Sequence, residues 1–141
     1  MCLFRKKPEV FAPEPESSKR ITYEELHKLL SKKFPKASVY LSDKDYLLCS
    51  YNDVAVFLAS DMSDRYEYSE ESFDCDDFSY RLMGQFSTPK WSDLCFGIMW
   101  TSDHAFNIFV GEDKKIFFVE PQNDEIGIKI LGSGEERLIV L

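Results

Sequence analysis

The chain has 141 residues, 44% of them hydrophobic and 15% aromatic, which suits one domain with a substantial core. Its 25 acidic and 17 basic side chains give a net charge of −8, and this excludes nucleic acid as an expected partner because phosphate binding needs a basic face. We find no membrane-span pattern and no export signal, and the four cysteines form no CxxC pair. We therefore expect a cytoplasmic protein with reduced thiols.

The N-terminal part of the chain predicts an arm followed by a helix. Residues 1–20 contain three prolines and mixed charge, so we expect a flexible arm before a domain at 21–141. Thr22 and Glu25 fit a capping box at a helix start, and apolar residues follow at helical spacing. Pro35 is expected to end this helix.

The middle of the chain predicts a hairpin and two further elements before the sheet. Residues 38–41 and 46–51 are short and β-prone, with a turn between them. Residues 53–60 fit either a helix capped by Asn52 or a buried strand. The second clear helix is predicted at 74–83, with Gly84 placed to end it.

The C-terminal half predicts strands. They are expected at 94–101, 104–110, 115–120, 126–131 and 137–141, and a glycine-containing turn joins the second to the third. Helices followed by an antiparallel sheet define an α+β fold.

One cysteine and one histidine stand in positions suited to nucleophilic chemistry. Cys75 falls in the first turn of the second helix, where the helix dipole lowers a thiol pKa. His104 starts one strand of the predicted hairpin and Glu120 ends the other. If Val110 pairs with an even-numbered residue of the next strand, both side chains share one face, and Glu120 can orient the imidazole. A register shifted by one residue would separate them.

Two further features flank this constellation. Gln122 is placed either to donate to a developing oxyanion or to bond the backbone. The segment 61–77 holds eight of the acidic residues and one arginine, and it fits either a solvated loop or a calcium-type cation site. Because Asp74, Asp76 and Asp77 crowd the thiol with negative charge, a bound cation there would favour the thiolate.

These motifs, taken together, resemble a known family. The matching stretches are 73–78 (FDCDDF), 97–100 (GIMW), 104–107 (HAFN) and 120–122 (EPQ). They resemble the papain-like C-terminal domain of the fairy-ring mushroom agglutinin, which phage and bacterial proteins share. The resemblance covers about 22–141, and it implies a papain-like cysteine protease fold that depends on calcium.

The resemblance assigns a role to each candidate residue. Cys75 would be the nucleophile, His104 the base and Glu120 the orienting residue of a Cys-His-Glu triad, with Gln122 lining the substrate site. This predicts a hydrolase, a peptidase or amidase acting on a peptide or protein substrate. Two alternatives stay open: a catalytically silent binding or phage accessory protein that keeps the fold, and a transglutaminase-like acyl transferase. We also expect a homo-oligomer. If the protein is encoded by a phage, we expect it in the cytoplasm of the host cell.

Overall fold

The protein is described here by a computed structural model that covers residues 13–141, so most of the predicted arm at 1–20 and Cys2 lie outside the described residues. Within this range the chain forms three α-helices, a short 3₁₀ turn at Ser63–Arg65 and eight strands. The helices are α1 (Tyr23–Lys33), α2 (Tyr51–Ser60) and α3 (Cys75–Phe86). The strands are β1 (Arg20–Thr22), β2 (Ser38–Tyr40), β3 (Asp45–Leu47), β4 (Phe96–Thr101), β5 (Ala105–Val110), β6 (Ile116–Glu120), β7 (Glu125–Gly127) and β8 (Glu136–Val140).

The start of α1 confirms the capping box. The Thr22 hydroxyl accepts the Glu25 backbone N–H at 3.3 Å, and the Glu25 carboxylate accepts the Thr22 N–H at 3.3 Å. Two donors that the helix leaves free are thereby satisfied. The helix ends at Lys33, two residues before Pro35.

The main sheet is mixed, which corrects the predicted antiparallel sheet. Its six strands lie in the order β2-β8-β4-β5-β6-β7, and β2 runs parallel to β8 while the other neighbours are antiparallel. The predicted hairpin between 38–41 and 46–51 is also wrong, because its two strands pair with other partners. β2 joins the main sheet, whereas β3 pairs with β1 in a separate two-stranded sheet, where Arg20 and Asp45 form an ion pair.

Two helix boundaries also differ from prediction. Residues 51–60 form a helix, but its N-cap is Ser50 and not Asn52. α3 continues through Gly84 to Phe86, because Phe86 is 3% exposed and stacks on Phe96 with ring centroids 3.8 Å apart. Burial of this ring outweighs the cost of one glycine in a helix, about 1 kcal/mol.

The two faces of the main sheet carry different helices. On one face, Phe118 packs edge-on against Phe34, the residue that caps α1. On the other face, α3 lies against β4 and β5, and the buried Asn107 donates from Nδ2 to the Ser79 carbonyl of α3 at 3.1 Å. The described chain is therefore an α+β domain with a sheet between helices. Its helices, over residues 13–141, are all too short or too polar to cross a membrane.

Candidate functional site

Cys75 lies in the first turn of α3, as predicted, and is the first residue of that helix. The side chain is half-buried and the thiol is free. Asp74 is the N-cap, and its backbone N–H donates to Asp77 Oδ2 at 3.2 Å. One turn into the helix, the Ser79 hydroxyl donates to the Cys75 carbonyl at 2.8 Å. The helix end thus holds the thiol in a defined position within the positive end of the helix dipole.

His104 and Glu120 come together on the β5–β6 hairpin. Val110 pairs with Ile116, which confirms the register that places both residues on one face. His104 Nε2 lies 2.7 Å from Glu120 Oε2, and both side chains are more than four-fifths buried. The Gln122 backbone N–H donates to the other oxygen, Glu120 Oε1, at 3.3 Å. Glu120 is therefore oriented through both of its oxygens.

The thiol and the imidazole are not joined. Across residues 13–141, the Cys75 thiol makes no hydrogen bond to His104. The His104 ring packs beside Phe106 at 5.6 Å, and Phe106 alternates along β5 with Asn107, whose side chain contacts α3. The structure thus brings together two of the three predicted catalytic residues, and the roles predicted for all three, and for Gln122, stay predictions.

The three aspartates predicted as cation ligands form a cluster. Asp74, Asp76 and Asp77 each place one carboxylate oxygen within 4.8 Å of the others. A hydrogen bond with Asp74, followed by burial and by the charges of Asp74 and Asp77, raises the pKa of Asp76. Asp76 Oδ1 also accepts the Asp77 N–H at 3.0 Å. The cluster therefore favours a shared proton or a cation.

Two aromatic rings, Tyr80 and Trp100, lie beside this cluster, and no sequence motif had indicated a binding role for them. The Tyr80 ring is 5.8 Å from the half-buried Trp100 ring, and Tyr80 is 51% exposed. Burial and the charges of Asp76 and Asp77 raise the pKa of the Tyr80 hydroxyl. Asp76 and Tyr80 are four residues apart on one helix, and this spacing predicts that their side chains are neighbours.

The remaining cysteines of the described chain are structural. Cys49 and Cys95 are fully buried, and burial raises the pKa of both thiols. The Cys49 thiol donates to the Cys95 carbonyl at 3.4 Å. Both therefore belong to the core, as expected, and Cys75 is the accessible thiol of residues 13–141.

Comparison with known proteins finds similar solved structures. No protein-family model and no curated protein sequence matches the chain. The chain is similar to a structure described as a PSL1a–E64 complex, with a TM-score of 0.76, 23% identity, and coverage of 86% of this chain and 50% of that one. It is also similar to Polyporus squamosus lectin bound to the human-type influenza-binding epitope Neu5Acα2-6Galβ1-4GlcNAc, with a TM-score of 0.74, 22% identity and coverage of 86% and 49%.

These matches show that the chain shares its α+β fold with about half of each matched chain. They overturn the resemblance to the papain-like C-terminal domain of the fairy-ring mushroom agglutinin, because the matched chain with a named source is a Polyporus squamosus lectin. The predicted peptidase or amidase function, with its peptide or protein substrate, is wrong for the same reason. At this identity the matches establish the fold alone, and the chain spans about half the length of each matched chain.

Proposed function

We propose that this chain is a glycan-binding domain, and that its binding surface is formed by Tyr80, Trp100 and the neighbouring Asp76. The proposal develops one alternative that the sequence left open, a binding protein that keeps the fold and is catalytically silent. One similar structure is a lectin bound to a glycan. Because this chain covers half of that lectin, glycan binding needs support from this chain's own residues, and the Tyr80–Trp100 pair supplies it.

The chemistry of this surface suits a sugar. A sugar ring has an apolar C–H face and a rim of hydroxyl groups, so it is bound by an aromatic face together with a few placed polar acceptors. Tyr80 is half exposed beside Trp100, and the Asp76 carboxylate lies close enough to Tyr80 to act on its pKa. An aromatic platform and a hydroxyl acceptor thus lie side by side.

The charge of the surface selects among glycans. Asp74, Asp76 and Asp77 place three carboxylates at the tip of α3. A carboxylate on a sialic acid would be repelled here, since like charges a few ångströms apart disfavour each other even when partly solvated. We therefore expect neutral glycans to bind this chain better than sialylated ones, in contrast to the epitope bound by the similar lectin.

Calcium remains a proposal for the same cluster. Three carboxylate oxygens within 4.8 Å of one another are the kind of ligand that Ca²⁺ prefers. A hydrogen bond with Asp74 is the main cause that raises the pKa of Asp76, so a proton and a cation would compete for this cluster. Asp74, Asp76 and Asp77 would hold the ion, which would supply positive charge next to Cys75 and reduce the repulsion of anionic ligands.

The test compares binding of Galβ1-4GlcNAc with binding of its sialylated form, Neu5Acα2-6Galβ1-4GlcNAc, by isothermal titration calorimetry. We expect the neutral disaccharide to bind more tightly. Tyr80→Ala and Trp100→Ala should each weaken binding about tenfold, which corresponds to roughly 1.4 kcal/mol. Tyr40→Ala is the matched control, because Tyr40 is 63% exposed on β2 and should leave binding unchanged.

Two results would count against glycan binding at this surface. One is unchanged affinity in folded Tyr80→Ala and Trp100→Ala proteins. The other is the absence of heat change with either glycan, or with a wider panel of neutral glycans, at millimolar concentration. Circular dichroism of each variant separates a lost contact from a lost fold.

A second candidate function is acyl transfer of the transglutaminase type, which the 2.7 Å His104–Glu120 pair favours. The Cys75 thiolate would attack an amide carbonyl, the amine would leave with a proton from His104, and an acceptor amine would displace the thiol from the thioester. This requires the thiol and the imidazole to approach each other. Incubation with E64, the compound present in the PSL1a complex, tests the thiol by mass spectrometry.

The control for this second function is Cys75→Ala. Covalent labelling of the wild type and not of the variant, together with incorporation of a labelled amine into a glutamine peptide, would support acyl transfer. Equal labelling of the wild type and Cys75→Ala would remove the support for a reactive thiol at this position.

A further inference from the structure

A groove with an apolar floor and a basic rim lies between α1 and the turn that joins β5 to β6. Its volume is about 250 Å³, and the residues that line it are Ile21, Glu25, Lys28, Leu29, Lys32 and Lys114. The floor consists of Ile21, which is 2% exposed, and of the half-buried Leu29, which packs against the core. We call this feature the lysine groove.

The rim of the lysine groove receives cationic side chains from two separate elements. Lys28 and Lys32 are four residues apart on α1, so successive turns of the helix bring them side by side. Lys114 comes from the β5–β6 turn. All three are exposed, and the apolar floor lies below them.

The three lysines of the rim have no acidic partner among residues 13–141. Four other cations of this range form ion pairs with carboxylates, whereas none of Lys28, Lys32 and Lys114 does. Glu25 is the acidic residue that lines the groove, and its carboxylate accepts the Thr22 backbone N–H in the capping box. The lysine groove is therefore locally positive, on a chain whose net charge is −8.

The backbone of Lys114 supports a role beyond the fold. Its φ angle is 63°, in the left-handed region that glycine and asparagine adopt more readily than lysine does. The Lys114 N–H donates to the Gly111 carbonyl and the Gly111 N–H donates to the Lys115 carbonyl, each at 2.8 Å, so the turn is closed around this conformation. Backbone conformations of this kind are concentrated at functional positions.

We propose that the lysine groove binds an acidic peptide segment of a partner protein, in which a large apolar side chain stands among glutamates or aspartates. The apolar side chain would lie on Ile21 and Leu29 and lose contact with water. The carboxylates on either side of it would meet the ammonium groups of the rim. A groove of this size gives a weak, salt-sensitive association, and it lies outside the glycan surface of Tyr80 and Trp100.

Charge and shape favour a peptide over other anionic amphipaths. A fatty acid has one carboxylate for three lysines, whereas an acidic peptide has several at adjustable positions. A lipid surface is flat and would meet much of the chain besides the groove, and the chain as a whole is acidic. A peptide needs to enter only the positive groove itself.

The experiment measures the fluorescence anisotropy of a short fluorescein-labelled peptide, with leucine between pairs of glutamates, as the whole chain is added at near-physiological salt. We expect saturable binding that weakens about tenfold in Lys32→Glu, because a carboxylate then stands at the rim. Lys33→Glu is the matched control, since Lys33 is exposed in the same turn of α1 but does not line the groove. The same change of net charge there should weaken binding by no more than about twofold.

Two further comparisons separate the groove from general charge and from folding. A peptide with serine in place of leucine should bind less tightly, because it gains nothing from the apolar floor. Lys114→Asn should bind the acidic peptide less tightly while it melts at or above the temperature of wild type, because asparagine suits the left-handed backbone.

Several results would overturn the proposal. They are equal weakening by Lys32→Glu and Lys33→Glu, equal binding of the leucine and serine peptides, and unchanged affinity in Lys114→Asn. Binding of dodecanoate or of phosphatidylserine vesicles without binding of the acidic peptide would also overturn it, since the groove would then be a lipid site.

Discussion

Replacing Asn107 by alanine tests how α3 is held on the sheet. Asn107 is fully buried, and its Nδ2 donates to the Ser79 carbonyl of α3 and to the Gly97 carbonyl of β4, each at 3.1 Å. The alanine variant loses both bonds. Since Cys75 starts the same helix one turn before Ser79, this contact also sets the position of the candidate site.

The expected loss follows from these two contacts. Each intramolecular hydrogen bond contributes about 1 kcal/mol net, and a small void adds to the loss, whereas removal of the unpartnered Asn107 Oδ1 offsets part of it. We expect the free energy of unfolding to fall by about 2 kcal/mol, and Tm to fall by roughly 8 °C. Asn107→Asp should cost more at pH 7, because it buries a charge and removes both donors.

Urea denaturation followed by circular dichroism measures this loss. Asn52→Ala is the control, because Asn52 is exposed on α2 and its replacement should change stability by less than about 0.5 kcal/mol. A change of less than about 0.5 kcal/mol for Asn107→Ala, with an unchanged denaturant slope, would refute the reasoning. It would mean that packing of α3, and not this amide, holds the helix in place.

Three further substitutions have defined outcomes. Hydrogen bonds from Thr101, Ser133 and the Gly134 N–H lower the pKa of Asp103, so its stabilising effect is present above about pH 4 and is lost as the pH falls through the lowered pKa. Asp103→Asn should therefore lower Tm at pH 7 and make no difference near pH 2. Thr22→Ala should cost about 1 kcal/mol in urea denaturation, and a loss smaller than about 0.3 kcal/mol would contradict the cap. Gly97→Ala should yield no folded protein by circular dichroism, because its Cβ would lie 2.0 Å from the Val140 carbonyl oxygen; a wild-type melting curve would show that β8 can move.

The elements that the sequence predicts well are those whose signals are local. The capping box of Thr22 and Glu25 needs residues three apart, and the start of α3 at Cys75 needs an acidic first turn and helical spacing. The β5–β6 pairing follows from one short turn, so the register of His104 and Glu120 was predictable.

The errors arise where distant partners decide the outcome. Nothing near residues 38–41 indicates that β2 pairs with β8, about 100 residues later, in place of its neighbour β3. Gly84 is a good local stop, yet contacts of Phe86 with Phe57 of α2 and with Phe96 of β4 extend α3 by three residues. Local propensity is a weak prior that such tertiary contacts override.

The position of Cys75 relative to His104 is a problem of the same kind. Each residue was correctly placed on its own element, and the order along the chain suggested one site. Within residues 13–141 no hydrogen bond joins the Cys75 thiol to the His104 imidazole, which bonds Glu120 instead. Spacing along a sequence fixes which face of its own element a residue occupies, but the packing of that element fixes what the face meets.

The acidic segment 61–77 shows how packing divides a feature that looks single in sequence. Its excess of negative charge suggested one cation site at Asp74, Asp76 and Asp77. In the structure, Asp61 and Asp64 instead act on Asp124, while the aspartates of α3 act on one another and on Tyr80. Burial differs as well, since Asp61 is 8% exposed and the α3 aspartates are half-buried. Because desolvation makes unpaired charge costly, burial is the main cause that raises the pKa of Asp124 to about 7, whereas at Asp76 the main cause of the raised pKa is a hydrogen bond with Asp74.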